Sequence, residues 1–314
     1  MSTSVQHITI SSEDAGQRLD NFLIRILKGA PKSLIYRVIR KGEVRLNKGR
    51  AKPDRKLSEG DIVRVPPMRL ADPKEPVKPG ERLTKLLDDA ILLETPDYLV
   101  VNKPVGLAVH GGSGVNLGLI EALRQMRPLE KSLELVHRLD RETSGCILVA
   151  KKRSVLKYLQ SLFRGEKQIR KVYFALVVGV WSKRRQVVDA PLRKNELQSG
   201  ERIVKVTPDG KPSRTEFEIE ESFGDQATLL RVEPVTGRTH QIRVHARHAG
   251  HPLIGDDKYG DDEANKVMKK QGFKRLFLHA ASLRFTDSHG EAIDVQAPLP
   301  EDLEQGLKNL RKGL

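Results

Sequence analysis

Apolar positions along the chain change their spacing after the first quarter. In residues 17–27, Leu19, Phe22, Leu23, Ile26 and Leu27 recur at helical intervals, and Lys28-Gly29-Ala30-Pro31 stops the pattern. A second helix is expected from Ser33, a good N-cap residue, with Leu34, Ile35, Val38 and Ile39 on its buried side. Arg37, Arg40 and Lys41 fall on the other side at the same spacing, and Gly42 ends the helix. Short strands at 44–46 and 62–65 follow, with a tight turn at Asn47-Lys48-Gly49. The pattern predicts a small helix-helix-sheet module over 15–66, behind a tail at 1–14.

Residues 66–80 are rich in proline and charge and have no period, so a semi-rigid linker is expected over 67–84. Beyond it, strand-like runs at 98–101, 146–150, 172–178, 216–221, 227–232 and 276–279 outnumber helix candidates at 118–126, 154–163, 240–248 and 301–311. This mixture predicts a second domain over 85–314. Its class is α+β, with a large mixed, mostly antiparallel sheet flanked by helices and loops.

Composition narrows the class of partner. The chain has 314 residues and a net charge of +15. Residues 1–80 carry 17 Lys/Arg against 9 Asp/Glu, so about half the excess lies in about a quarter of the chain. A polyanion, most simply nucleic acid, is the expected partner. No apolar run approaches the ~18 residues of a membrane span. No signal peptide is read at the N-terminus, and Cys146 is the one cysteine. A cytoplasmic protein without disulfides, acting without a membrane, is expected.

Four segments of the second domain carry more polar and glycine positions than a scaffold needs. The first is Asn102-Lys103-Pro104-Val105-Gly106-Leu107-Ala108-Val109-His110-Gly111-Gly112, which lacks the Gly-Lys-Ser/Thr of a phosphate loop. The second, His137-Arg138-Leu139-Asp140-Arg141-Glu142-Thr143-Ser144-Gly145, sets an acid between two arginines before an apolar strand. Such an acid is either a surface ion pair or a nucleophile or base at a sheet's mouth. The third, Lys171-Val172-Tyr173-Phe174-Ala175-Leu176-Val177, places a tyrosine in a strand. The fourth is Thr236-Gly237-Arg238-Thr239-His240-Gln241-Ile242-Arg243-Val244-His245.

In this order the four segments resemble the motifs of the RluA-type pseudouridine synthases. The first module resembles the S4 RNA-binding domain that many members carry, from Arg18-Leu19-Asp20 through Ser33, Arg37, Gly42, Val44 and Asn47. The resemblance implies that Asp140 attacks the target nucleotide and that Arg243 pairs with it through a bidentate contact. It implies that Tyr173 lies against the flipped base and takes part in removing the C5 proton. Arg138 would fill the space the base vacates, Ile242 would form an apolar wall, and His240 and Arg141 would contact substrate. In the S4 module, Arg18, Lys32, Ser33, Arg37, Arg40 and Lys41 are the expected RNA contacts. Stretches at 197–204, 209–215 and 275–285 resemble members that act on the large ribosomal subunit, which implies 23S rRNA or an assembly precursor as substrate. No cofactor, no metal and no protein partner are implied, and a monomer is expected. Two rival readings are a zinc hydrolase built on His240, His245, His248 and His251, and a non-enzymatic RNA-binding protein. The first lacks the His-Glu-x-x-His spacing. The second leaves Asp140, Tyr173 and Arg243 without a purpose.

Overall fold

The computed structural model describes residues 4–12, 14–27, 29–68, 78–111, 117–130, 132–165, 169–184, 186–196 and 202–313. The chain divides into two units, 1–77 and 78–314. Gly112 of the first motif, residues 69–77 of the linker and the stretch 197–201 lie outside the described residues.

In the first unit, β1 (Gln6–Thr9), α1 (Leu19–Ile26), α2 (Lys32–Arg40), β2 (Arg45–Leu46) and β3 (Ile62–Val65) form two helices on a three-stranded sheet ordered β1-β3-β2. The expected tail is part of this sheet. Gln6 pairs with Val65 and Thr9 with Ile62, and Ile10 is buried just beyond, so apolar burial and ladder bonds order the segment. Leu19, Phe22, Leu23, Ile35, Val38 and Val63 fill the core. Ser33 is not the cap of α2. The helix starts at Lys32, two residues earlier than a Ser33 cap would set it, behind Pro31, whose fixed φ of −59° suits a helix entry, and no side chain caps it. Asn47 and Lys48 both take positive φ, and the Asn47 side chain braces the turn against Asp61 and the Ile62 N–H.

The second unit begins with α3 (Glu81–Asp89), so the linker ends at Gly80, four residues before the expected boundary. Leu87 of this helix is buried and Leu83 partly so, which an extended linker could not achieve. The chain continues through β4 (Ile91–Glu94), β5 (Tyr98–Lys103), α4 (Leu119–Met126), β6 (Glu134–Leu135), β7 (Ser144–Ala150), α5 (Arg153–Arg164) and β8 (Ile169–Val178). Then come β9 (Val187–Asp189), β10 (Leu192–Glu196), β11 (Arg202–Val206), β12 (Arg214–Phe223), β13 (Ala227–Pro234) and α6 (Gln241–His248). The last elements are α7 (Asp262–Lys270), β14 (Leu278–Thr286), β15 (Ala292–Gln296) and α8 (Glu301–Lys312).

The main sheet runs β4-β5-β7-β14-β8-β13-β12-β9, with β15 on β14 and β6 on β7, and β10–β11 is a separate hairpin. Its pairs are antiparallel except β7 with β14 among the described residues. The class is therefore the expected α+β. Every residue of β7 is buried, because Ile147 and Val149 pack toward α4 while Cys146 and Leu148 pack toward α5. A strand covered on both faces must read as a continuous apolar run, as this one does.

Gly145 is where the Asp140 segment meets the parallel pairing. Its φ is +109°, and a Cβ there would lie 2.2 Å from the Ala280 carbonyl oxygen. Gly145→Ala is therefore expected to cost about 2–4 kcal/mol, from a strained backbone and a clash the sheet cannot relieve. Urea unfolding should show a lower midpoint at unchanged slope; a midpoint equal to wild type would contradict the close approach.

Candidate active site

Asp140 sits on the turn that enters β7, closed by a hydrogen bond from the Thr143 N–H to its own carbonyl at 3.1 Å. The first motif braces this turn. The Gly106 N–H donates to the Arg141 carbonyl at 2.9 Å, and the Arg141 Nε donates back to the Gly106 carbonyl at 2.9 Å. Beneath them Lys103 is fully buried and donates to the carbonyls of Pro104, Leu107 and Arg141 at 2.9, 2.9 and 3.1 Å. Burial pulls its ammonium down to about 7, and three acceptors demand all three N–H bonds, which opposes loss of the proton. This brace is what the Asn-Lys-Pro stretch contributes, and no local pattern signals it.

The fourth motif follows β13 and enters α6. Gln241 locks its loop: Oε1 accepts from the Thr236 hydroxyl and the Arg238 N–H, while Nε2 donates to the Arg214 carbonyl and the Thr215 hydroxyl. His245 is satisfied the same way, against the Thr215 hydroxyl and the Ala190 carbonyl. His251 contacts the Val178 carbonyl. Among the described residues no group of three or more His, Cys, Asp or Glu side chains is placed to hold a metal ion. His240 itself has φ +53° at the helix N-cap, a left-handed conformation that costs a non-glycine residue about 1–2 kcal/mol.

The second, third and fourth segments line one cavity of about 310 Å³, within the size range of small-ligand sites. Asp140, Arg138, Tyr173, His240, Ile242 and Arg243 line it together, with Thr143, Phe163 and Lys171. Arg141 does not line it. Its guanidinium is exposed, bonded to Gly106 and 3.5 Å from Glu142, so it supports the turn instead of facing the cavity. Tyr173 projects from β8 opposite Val232 and Ala280. Burial first, then the charge of Asp140, raise its phenol above the ordinary range, so it is neutral at physiological pH.

The expected bidentate contact is present but has a different partner. Arg243 donates from Nε and Nη2 to the two oxygens of Asp256, both at 2.7 Å, and only Nη1 reaches Asp140 Oδ2, at 3.4 Å. The buried acid takes the Nε–Nη2 edge of the guanidinium in a bidentate contact. Asp256 has no exposed side-chain surface and also accepts the N–H groups of Lys258 and Tyr259 at 2.9 Å. Burial works to raise its carboxyl, but Arg243 and the two backbone N–H groups hold it below the usual range. Burial likewise opposes the charge of Arg243, and Asp256 with Asp140 more than offsets that. His240 Nε2 lies 3.7 Å from Asp140 Oδ2, and burial lowers its imidazole despite the attraction of Asp140. Asp256 and Tyr259 escaped the sequence reading. Their signal was an acid after Gly255, where φ is +73° and a Cβ would lie 2.0 Å from the Arg275 carbonyl.

In the first unit Lys32, Ser33, Arg37, Arg40 and Lys41 are all exposed on or beside α2. Arg18 is exposed but pairs with the buried Asp20, which also accepts from the Tyr36 hydroxyl.

Residues 97–248 match the RNA pseudouridylate synthase family and residues 17–63 match the S4 domain. The chain belongs to the RNA pseudouridine synthase family. It is 56% identical over 311 residues to ribosomal large subunit pseudouridine synthase C of Yersinia pestis, covering 98% of this chain and 96% of that one. It is 54% identical over 312 residues to the protein of the same name from Escherichia coli strain K12, covering 98% and 97%. Among solved structures, human RNA pseudouridylate synthase domain containing 4 aligns with a TM-score of 0.61 at 27% identity, over 73% of this chain and 96% of that one.

Asp256→Asn should cost about 3 kcal/mol, because it leaves the buried Arg243 charge half unpaired. The sign of its pH dependence follows from the lowered carboxyl. Wild type keeps the contribution above the ordinary carboxylate pKa and loses it as pH falls toward the lowered one. Chemical denaturation between about pH 3 and pH 7 should thus show a shallower acid limb in the variant than in wild type. Parallel acid limbs would mean that Asp256 is not the titrating partner.

Proposed function

We propose that this synthase isomerises uridines of large-subunit ribosomal RNA to pseudouridine, with Asp140 as nucleophile. The observation that carries the reading is Asp140 itself, at the edge of the cavity, held by a buried arginine whose Nε and Nη2 are bonded to Asp256. The relatives' names support the ribosomal large subunit as substrate source.

A uridine swung out of its stack enters a cavity with the size and lining for one base. The carboxylate attacks it, the glycosidic bond to N1 breaks, and the uracil turns before C5 bonds to the sugar. The N-glycosidic bond is exchanged for a C–C bond with no net redox change, so a nucleophile, a proton acceptor and a closed pocket suffice. Retaining the free uracil at high effective concentration is as important as the nucleophile. The Tyr173 ring supplies an apolar face for the base, with Ile242 as a second wall. Its phenol is neutral, so as acceptor of the C5 proton it must release its own proton as it takes the new one, and the isomerisation balances with one proton lost at C5 and one gained at the freed N1 of the base. Arg138 is exposed at the cavity's rim, where a guanidinium can replace the departed base in the stack.

The S4 unit supplies RNA affinity through α2, whose exposed cations have no matching row of acids. Full-length Asp140→Ala should form no pseudouridine, while RNA binding stays within about twofold of wild type. Chemical mapping of pseudouridine in rRNA from cells with and without the gene checks the substrate; an unchanged map would remove rRNA from the proposal. Replacing Arg37, Arg40 and Lys41 together by Gln should flatten the slope of log K against log salt by about 2–3. An unchanged slope in salt-titrated binding would place the phosphate contacts elsewhere.

A further inference from the structure

Asp140 is gripped by one oxygen. Arg243 Nη1 at 3.4 Å and His240 Nε2 at 3.7 Å both approach Oδ2, and no donor among the described residues is bonded to Oδ1. Behind His240 lies a second contact. Its Nδ1 is 2.8 Å from the Tyr259 hydroxyl oxygen, which also accepts the Val204 N–H of β11 at 2.9 Å. That hydroxyl still has its own proton to give, and Nδ1 is the acceptor in reach. Burial keeps His240 neutral. A neutral imidazole that accepts at Nδ1 carries its proton on Nε2, the nitrogen that faces Asp140.

The same buried acid fixes both arms of the grip. Asp256 takes the fork of Arg243 and accepts the Tyr259 N–H, and the Tyr259 ring lies 5.0 Å from the Arg243 guanidinium carbon. His240 is held in its left-handed conformation between these groups. A strained residue whose side chain completes a contact to a reacting group is a place where fold energy is spent on geometry.

We propose that Tyr259 and His240 are positioning residues for Asp140. Tyr259 selects the Nε2–H tautomer of His240, and His240 joins Arg243 on Oδ2, so that Oδ1 is the oxygen presented to the nucleotide. The 3.7 Å separation shortens to a hydrogen bond when substrate closes the cavity, as catalytic contacts commonly do. The catalytic half of this proposal rests on Asp140 being the nucleophile; the tautomer half does not.

Two measurements on the full-length protein test it. Nitrogen NMR of labelled histidine, with His240→Gln to assign the resonances, should show a neutral Nε2–H tautomer for His240. Tyr259→Phe should shift it toward Nδ1–H. A wild-type Nδ1–H tautomer, or a spectrum unchanged by Tyr259→Phe, overturns the proposal whatever the enzyme's activity. In single-turnover assays with saturating enzyme, His240→Ala and Tyr259→Phe should each slow pseudouridine formation about 10–100-fold, with RNA affinity within about twofold of wild type. His240→Gln should recover part of the rate, because its amide can donate to Oδ2. The double variant should be no slower than His240→Ala, because Tyr259 acts through His240. Additive losses, or weakened affinity at an unchanged rate, overturn it. Should Tyr259→Phe fail to fold, equal rates for His240→Ala and His240→Gln do the same. Failure of the nucleophile assignment shows itself separately, as pseudouridine made by Asp140→Ala.

Discussion

The buried pair of Arg243 and Asp256 is the contact on which the site depends. Taking two charges out of water is costly, and such a pair is a weak source of stability by itself. Here the cost is offset by geometry: two short guanidinium bonds, two backbone N–H groups on the acid, and no exposed surface on its side chain. What the pair supplies is direction. With Nε and Nη2 bonded to Asp256 the guanidinium is fixed in orientation, and Nη1 is the nitrogen that reaches Asp140.

The sheet brings the other participants to that point. β7 carries the Asp140 turn, β8 carries Tyr173, and β14 lies between the two strands. The single parallel pairing among the described residues, β7 with β14, needs a close approach that Gly145 alone permits. The loop after β13 then closes the cavity, and Gln241 keeps its backbone in one conformation. Motifs more than a hundred residues apart in the chain meet because consecutive places in the sheet are not consecutive places in the sequence.

Local polarity was a poor guide to electrostatics. The two arginines beside Asp140 in sequence have other tasks: Arg141 braces the turn through Gly106, and Arg138 lines the cavity from an exposed position. A turn throws successive side chains in different directions, so sequence neighbours need not be spatial partners. Lys103 makes the same point, since a lysine in an Asn-Lys-Pro run reads as surface and is fully buried under three carbonyls.

The amino-acid sequence by itself determined the elements with strong periods, such as α1, α2, β7 and β8, because burial on one face or both leaves a readable rhythm of apolar residues. It also determined which side chains have the chemistry for the site, since Asp140, Tyr173, His240, Ile242 and Arg243 all reach one cavity. The short edge strand β1 was not legible, because a partner distant in the chain stabilises it more than its own composition does. Only the tertiary structure decided who holds whom. Asp256 takes the fork of Arg243 and Tyr259 backs His240 because folding delivers the segment after Gly255 beneath α6, and a hydrogen bond depends on positions in space that no local pattern encodes.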